Sequence, residues 1–176
     1  MGSSPSAQPH PRRPAATRAP ATGTTDLRTP NLSAPDLTAH PPRSVRVRLG
    51  GYAHLPRLLD KARASAASKL GAYHYNCPLD KQFFTFTGLN ADAFLPEATK
   101  GVSGTQMLAW VRARTARLPA EIEAWSDWLM RHSPGGSDGH QWMATTLKAA
   151  APDRDDIRGF ADLLDLDDYV SFGGRG

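Results

Sequence analysis

The sequence has little cysteine and no long apolar run, and each shortage excludes a class of protein. With the single cysteine Cys77 the chain cannot form an internal disulfide, which excludes a disulfide-dependent secreted fold and favours a reducing compartment. No stretch approaches the roughly 18 to 20 consecutive apolar residues of a membrane-spanning helix. The N-terminus also lacks the apolar segment of a signal peptide. These absences predict a soluble, cytoplasmic protein without a membrane partner.

Acidic residues are scarce in the front part of the chain. Residues 1–63 carry ten Lys or Arg against three Asp or Glu, whereas residues 64–176 carry eleven against fourteen. Because the part expected to fold is slightly acidic, nucleic-acid binding is disfavoured except through the basic front. Residues 1–35 also have almost no large apolar side chains and many prolines, which predicts a disordered, basic, Pro-rich and Arg-rich tail.

Residues 36–176 have the length and composition of one domain with one core. Apolar residues alternate with arginines over 45–49, which predicts a short extended arm, and Gly50 with Gly51 predicts a flexible break after it. Leucines and alanines then recur at three- and four-residue spacing. This periodicity predicts a helix over 53–69 with one apolar face.

Capping signals divide the remainder into further helices. Asp80 and Gly88 can begin and end a helix over 79–87, where periodicity alone does not separate helix from strand. Ser103 and Gln106 have the spacing of a capping box. The other helices are predicted from Asn90 or Asp92 to Ala98, over 105–117, from Pro119, from Ser137 or Asp138 to Pro152, and over 154–166. The fold class is therefore mainly α, a single irregular multi-helix domain.

Several ordered segments carry a family resemblance. Residues 43–63 contain a Gly-Gly pair and the run Leu-Pro-Arg-Leu-Leu-Asp-Lys-Ala-Arg, and residues 73–86 contain the step Cys-Pro-Leu-Asp. With the helix start at 119–128 and the later Leu-Leu-Asp-Leu-Asp-Asp end, these segments resemble the bacterial domain family of unknown function DUF5069. The resemblance spans residues 36–172. It implies a single domain and no assigned activity, so it carries over no catalytic residue.

The predicted first helix carries a cluster of charges, with Arg57 and Lys61 four residues apart and Asp60 three residues from Arg57 and from Arg63. In one interpretation the Gly50–Gly51 backbone, the free N–H groups of the helix N-terminus and Arg57 together bind a phosphate or carboxylate. In the plainer interpretation the charges form a ladder on a solvated helix face.

The segment after this helix offers a possible thiol centre. His74 stands three residues before Cys77, and Asp80 stands three residues after it. A nearby imidazole or helix N-terminus favours the reactive thiolate. A lone cysteine is, however, more often a small buried hydrophobe. Tyr73 and Tyr75 have polar neighbours, which predicts a place at the rim of a cleft.

The other residues that could carry chemistry have structural interpretations. The histidines lack the spacing of a zinc site, and the acidic run over 162–168 lacks the glycine and terminal glutamate of a calcium loop. We therefore predict no metal and no cofactor, and a solvated helix face for the acidic run. Helical spacing predicts core positions for the four tryptophans, Trp110, Trp125, Trp128 and Trp142.

Three functional hypotheses remain, and the first requires no reactive group among the residues. It is a binding or regulatory module that holds a small anionic ligand or a partner protein between the first helix and residues 73–80. The second is a small enzyme that uses Asp60, His74 or Cys77 in the same cleft. The third is nucleic-acid association through the tail. The candidate site residues are Arg57, Asp60, Lys61, Arg63, Tyr73, His74, Tyr75, Cys77 and Asp80.

Overall fold

The computed structural model describes residues 34–133 and 135–175. The predicted tail, residues 1–35, lies almost entirely outside this described part. Within it the chain forms seven helices and one two-stranded sheet, which confirms the mainly α fold class. None of the described helices is long and apolar enough to cross a membrane.

A short hairpin precedes the helices in the chain. Its strands are β1 (Arg48–Leu49) and β2 (Tyr52–Ala53), which pair antiparallel around Gly50 and Gly51. The helices are α1 (Leu55–Ala66), α2 (Pro78–Thr87), α3 (Ala91–Ala98), α4 (Gly104–Arg112), α5 (Pro119–Arg131), α6 (Gly136–Ala150) and α7 (Phe160–Ser171).

Helix α1 is the central element of the core. Its apolar side chains Leu55, Leu58, Leu59 and Ala62 are fully buried, as the leucine periodicity predicts. Around them pack aromatic and aliphatic side chains from β2 and from helices α2 to α5, among them Tyr52, Phe83, Phe94, Met107, Val111 and Ile122. Helix α3 contacts α1, and helix α5 contacts β2. Helix α7 packs on both α5 and α6.

Local capping signals are confirmed at three helix starts. Asn90 accepts the backbone N–H of Ala93 at 2.8 Å at the start of α3. Ser103 and Gln106 form the reciprocal capping box at the start of α4, with distances of 3.2 and 2.7 Å. Pro119 is the first residue of α5, and Glu121 accepts a backbone N–H in its first turn. These contacts satisfy backbone donors that a helix N-terminus leaves free.

Several predicted boundaries are wrong. The arm over 45–49 is not extended throughout, because a turn closes from Val47 N–H to the Ser44 carbonyl at 3.1 Å and leaves the Val47 side chain exposed. Helix α1 stops at Ala66, and Ser68 then adopts a positive φ of 57°. Helix α2 begins before Asp80, which is the third helical residue, and Cys77 takes the cap position.

The ends of α4 and α7 also differ from the prediction. Helix α4 stops at Arg112 instead of residue 117, and Pro119 accounts only for the extended backbone of Leu118, with ψ 153°. Helix α7 spans Phe160–Ser171 instead of 154–166. Its start is fixed by Gly159 at the cap and by the Phe160 N–H, which donates to the carbonyl of residue 132 at 2.9 Å.

Two of the four tryptophans are not core residues. Trp110 and Trp125 pack against the main cluster of buried side chains, whereas Trp128 and Trp142 are 43% and 47% exposed. Helix α6, which carries Trp142, has no buried residue among those described. Its main packing partner is α7.

Candidate functional site

Three of the four charged side chains of α1 are buried and paired, so the predicted solvated ladder is wrong. Arg57 and Lys61 are each only 3% exposed. Asp60 pairs with neither Arg57 nor Arg63. It accepts hydrogen bonds from Arg43 Nε at 2.8 Å and from Arg43 Nη2 at 2.7 Å. Each α1 charge therefore finds its partner outside the helix.

Arg57 forms an ion pair with Asp168 that joins α1 to α7. Its Nη1 and Nη2 atoms donate to the two carboxylate oxygens at 2.5 and 3.1 Å. Tyr73 donates its hydroxyl to the same carboxylate at 2.7 Å, and its ring lies 5.5 Å from the guanidinium. Burial raises the pKa of Tyr73, and the hydrogen bond to Asp168 raises it further, so the phenol stays protonated at neutral pH. Asp168 is 6% exposed, which corrects the prediction of a solvated acidic run for this residue, whereas Asp162, Asp165 and Asp167 are partly exposed.

A second buried network connects α1 to the start of α2. The Lys61 ammonium donates to the Asp80 carboxylate at 2.6 Å, to the His74 carbonyl at 3.2 Å and to Cys77 Sγ at 3.3 Å. These three bonds use all three N–H donors of a lysine. The Asp80 oxygen that accepts from Lys61, Oδ1, also contacts His54 Nε2 at 2.8 Å.

The charge states of this network follow from burial. Complete burial lowers the pKa of His54, and the neighbouring Asp80 only partly opposes this. For Asp80, burial raises the pKa, but the His54 hydrogen bond and the Lys61 charge outweigh that effect and the net pKa is lowered. The network therefore holds a neutral His54 that donates from Nε2 to a charged carboxylate, and His54 Nδ1 stays buried without a hydrogen-bond partner among the described residues.

Both networks border one cleft with a volume of about 650 Å³. Five of the nine predicted site residues line it: Arg57, Lys61, Tyr73, His74 and Cys77. The opposite wall is aromatic and comes from the end of α5, from α6 and from α7. Its main members are His132, Trp142, Phe160 and Leu164. Asp167 also lines the cleft, and burial with the charge of Asp168 raises its pKa.

The remaining predicted site residues lie elsewhere. Asp60 and Arg63 border a separate polar cavity with Arg43, and Arg63 donates to the carbonyls of Ala98 and Val102. The Tyr75 hydroxyl donates to the Ala91 carbonyl at 2.9 Å. Asp80 is fully buried beneath the cleft. The structure thus separates Arg63 and Tyr75 from the groove in which the sequence placed them.

His74 and Cys77 line the same cleft but do not form a pair. Cys77 is half-buried at the cap of α2, and its sulfur contacts Lys61. His74 is exposed, and within the described part of the chain no hydrogen bond joins its ring to the thiol. In the same part, no group of three or more His, Cys, Asp or Glu side chains could hold a metal ion.

The sequence model of the Domain of unknown function (DUF5069) matches residues 39–170 of the chain. The chain belongs to this family. The matched range contains both buried networks and every residue that lines the cleft. A comparison with curated proteins found no match for this DUF5069 domain.

The sequence did not predict two groups of site residues in this DUF5069 domain. Asp168 stands 111 residues after its partner Arg57, and no local spacing links the two. The aromatic wall of His132, Trp142 and Phe160 assembles from three helices. The one available signal was the apolar side of α6, which predicted packing in a core and not exposure to a cleft.

Proposed function

We propose that this DUF5069 domain is a binding module for a small molecule that carries a carboxylate and an apolar or aromatic body. The observation that supports the proposal is a single cleft lined both by the buried cations Arg57 and Lys61 and by aromatic side chains. Small-molecule sites are typically concave and mostly apolar, with a few polar groups that fix orientation.

The donors near the cleft floor favour a carboxylate head group. Lys61 has committed its three N–H groups, and Arg57 uses Nη1 and Nη2 for Asp168. Within residues 34–133 and 135–175 no hydrogen bond from Arg57 Nε is formed, so this donor is free for a ligand oxygen. Because both cations already have a carboxylate partner, the floor has no excess charge. It therefore suits a singly charged head better than a phosphate dianion.

The negative charge of Asp167 further restricts which ligands the cleft can bind. Its carboxylate lines the cleft and would repel a ligand whose only charged group is negative. A molecule that also carries an ammonium group would satisfy Asp167 and Arg57 together. Amino acids have this arrangement, so amino acids with large apolar side chains are the leading ligand class.

The aromatic wall supplies the surface for the apolar body. Trp142 and Phe160 lie with ring centroids 5.8 Å apart, and His132 lies 5.7 Å from Phe160. Trp142 is 47% exposed, so a ligand that packs on it removes apolar area from water. That burial is worth about 25 cal/mol for each Å² covered.

The test is a thermal-shift and tryptophan-fluorescence screen of amino acids, their decarboxylated amines and simple carboxylates. A ligand at about 100 times its Kd stabilises the native state by about 2.7 kcal/mol, which raises Tm. We expect aromatic or aliphatic amino acids to raise Tm and their amines to fail. Trp142→Ala should abolish the response. Leu118→Ala removes an exposed apolar side chain that does not line the cleft and is the control. Equal loss in both variants, or no response to any compound, contradicts the proposal.

A second candidate function, thiol chemistry by Cys77, is favoured by one contact. The Lys61 ammonium donates to the sulfur at 3.3 Å, and both residues line the same cleft. We expect iodoacetamide to alkylate native Cys77 faster than the same residue in the urea-unfolded chain, and Lys61→Gln to slow the native reaction. A native rate below the unfolded rate contradicts this candidate.

The hypotheses of a protein partner and of nucleic-acid association through the tail stay predictions. For nucleic acid, deletion of residues 1–35 should abolish salt-sensitive binding of duplex DNA if the tail alone supplies the cations. Retention of that binding after the deletion contradicts the hypothesis.

A further inference from the structure

A second cavity lies beside the Gly50–Gly51 turn of the hairpin, and it shares no lining residue with the cleft. Its volume is about 530 Å³. The walls come from the hairpin, from the end of α4 and from the start of α5. The residues that matter below are Arg48, Tyr52, Arg112, Thr115, Arg117 and Glu123.

Three arginines surround this cavity. Arg112 donates from Nη2 to the Gly50 carbonyl at 3.2 Å, and the described residues offer it no carboxylate within ion-pair distance. Arg117 pairs with Glu121 at 3.1 Å, and Arg48 pairs with Asp127 at 2.5 Å. Glu123 is the acidic residue of the lining. Arg112 is therefore the cation most free to bind an anion.

The buried hydroxyl of Tyr52 gives the cavity an unused hydrogen-bonding group. Tyr52 is 0% exposed and lines the cavity, and its hydroxyl makes no well-formed hydrogen bond to the described residues, although the Thr115 side chain is a polar neighbour. Burial raises its pKa, although Thr115, Arg112 and Arg117 act in the opposite direction, so the phenol keeps its proton at neutral pH. A buried hydroxyl without a well-formed hydrogen bond is uncommon, because its lost contact with water is not replaced.

The glycine turn forms one edge of the cavity. Gly50 and Gly51 have φ values of 61° and 93°, a left-handed conformation that glycine adopts without strain. A side chain at Gly50 would also collide with Leu108 at 2.4 Å. The sequence analysis joined this glycine pair to Arg57 in an anion site, but Arg57 lies at the cleft. The arginines at the turn are Arg48, Arg112 and Arg117.

We infer that this cavity binds the phosphate group of a small phosphorylated molecule. Arg112, with Arg48 and Arg117, would bind the phosphate oxygens, and the Tyr52 hydroxyl would be a further donor. Guanidinium groups bind phosphate oxygens with geometric specificity, and a tyrosine hydroxyl completes the set of donors. The volume exceeds that of a phosphate group alone, so the cavity has room for part of the molecule that carries it. The cleft is not involved.

The test measures binding of inorganic phosphate and of glycerol 2-phosphate by calorimetry, with sodium chloride at matched ionic strength as the reference. Arg112→Gln removes a charged donor and should weaken binding about tenfold or more. The matched control is Arg114→Gln, an exposed arginine that lies over the Trp110 ring and does not line the cavity. It should bind as the unchanged protein does. Stronger binding of the ester than of free phosphate would support a phosphorylated metabolite as the ligand.

Tyr52→Phe separates a ligand donor from a structural hydroxyl. Because the hydroxyl makes no well-formed hydrogen bond to the described residues, its removal should leave Tm unchanged or raised. Phosphate affinity should nevertheless fall several-fold. Trp142→Ala should leave phosphate binding unchanged, so failure of the proposed function and failure of this inference are distinguishable. Equal affinity for Arg112→Gln and Arg114→Gln, or no heat above the chloride reference, overturns the inference.

Discussion

Helices α1 and α6 differ in how deeply the fold buries them, and the difference runs against their composition. Helix α1 carries Arg57, Asp60, Lys61 and Arg63 in only twelve residues, yet three of these charged side chains are buried. Helix α6 has fifteen residues with an apolar side, yet none of the described ones is buried. The more charged helix lies at the centre of the domain.

The comparison shows that distant partners decide how deep a polar side chain can lie. Three ion pairs join α1 to residues outside it: Arg57 with Asp168, Lys61 with Asp80, and Asp60 with Arg43. Burial of a charge is tolerated when an opposite charge and further hydrogen bonds accompany it. Helix α6 packs mainly on α7, and its Trp142 borders the cleft.

The largest expected effect comes from removing a partner of an α1 charge. Asp168→Ala leaves the buried Arg57 without its counter-ion and Tyr73 without its acceptor. We expect the free energy of unfolding to fall by about 3–5 kcal/mol in urea denaturation. Asp156→Ala is the control, because it breaks the exposed pair with Arg154 and should have no measurable effect. Similar urea midpoints for the two variants would contradict the expectation that a buried ion pair stabilises the protein more than an exposed one.

The next effect compares matched leucines on the two helices. Leu58 on α1 is fully buried, and Leu147 on α6 is half-buried. Leu58→Ala should cost about 2–5 kcal/mol, because it removes buried methyl groups and leaves a cavity. Leu147→Ala should cost less than about 1 kcal/mol, as substitutions away from the core do. If Leu147→Ala proves as costly as Leu58→Ala, α6 is part of the core.

Local signals predicted most of the helices but not all of their ends. The caps at Asn90, Ser103 and Pro119 depend on residues within one helical turn, which sequence displays directly. The end of α4 is marked by no such local signal, and the start of α7 depends on a contact from Phe160 to the end of α5. That contact is tertiary and has no sequence signal.

The candidate site was predictable to the extent that its residues are near one another in the chain. Arg57 and Lys61 share a helix face, and Tyr73, His74 and Cys77 follow shortly after, so their arrival in one cleft needs a single chain reversal. Asp60 was assigned to the wrong partners because Arg57 and Arg63 stand three residues away, whereas Arg43 approaches from outside the helix. Spacing shows which pairs can form, and packing selects among them.

A smaller effect is a pH dependence that originates beside α1. The folded state lowers the pKa of His54 from its ordinary value of 6.5, so the unfolded chain binds the proton more readily. Stability is therefore present above about pH 6.5 and falls at lower pH, by at most about 1.4 kcal/mol per pH unit. Urea midpoints at pH 7.5 and 5.5 should differ. In His54→Gln, whose amide can still donate to Asp80, the difference should shrink, and an unchanged difference would assign it to another group.

The smallest expected effect is a gain in stability from a substitution at the start of α6. This helix begins after Gly135, which has extended backbone and no side chain to accept the free N–H groups, in contrast to the Ser103 capping box of α4. A Cβ at Gly135 meets nothing within 4 Å. Gly135→Asp should therefore stabilise the protein by only a few tenths of a kcal/mol, because glycine is already a tolerated cap. Hydrogen exchange should slow in the first turn of α6 and stay unchanged in α1, since the new carboxylate reaches only the N–H groups of that turn. Slower exchange in both helices would mean that α6 and α1 open together, which the difference in their burial argues against.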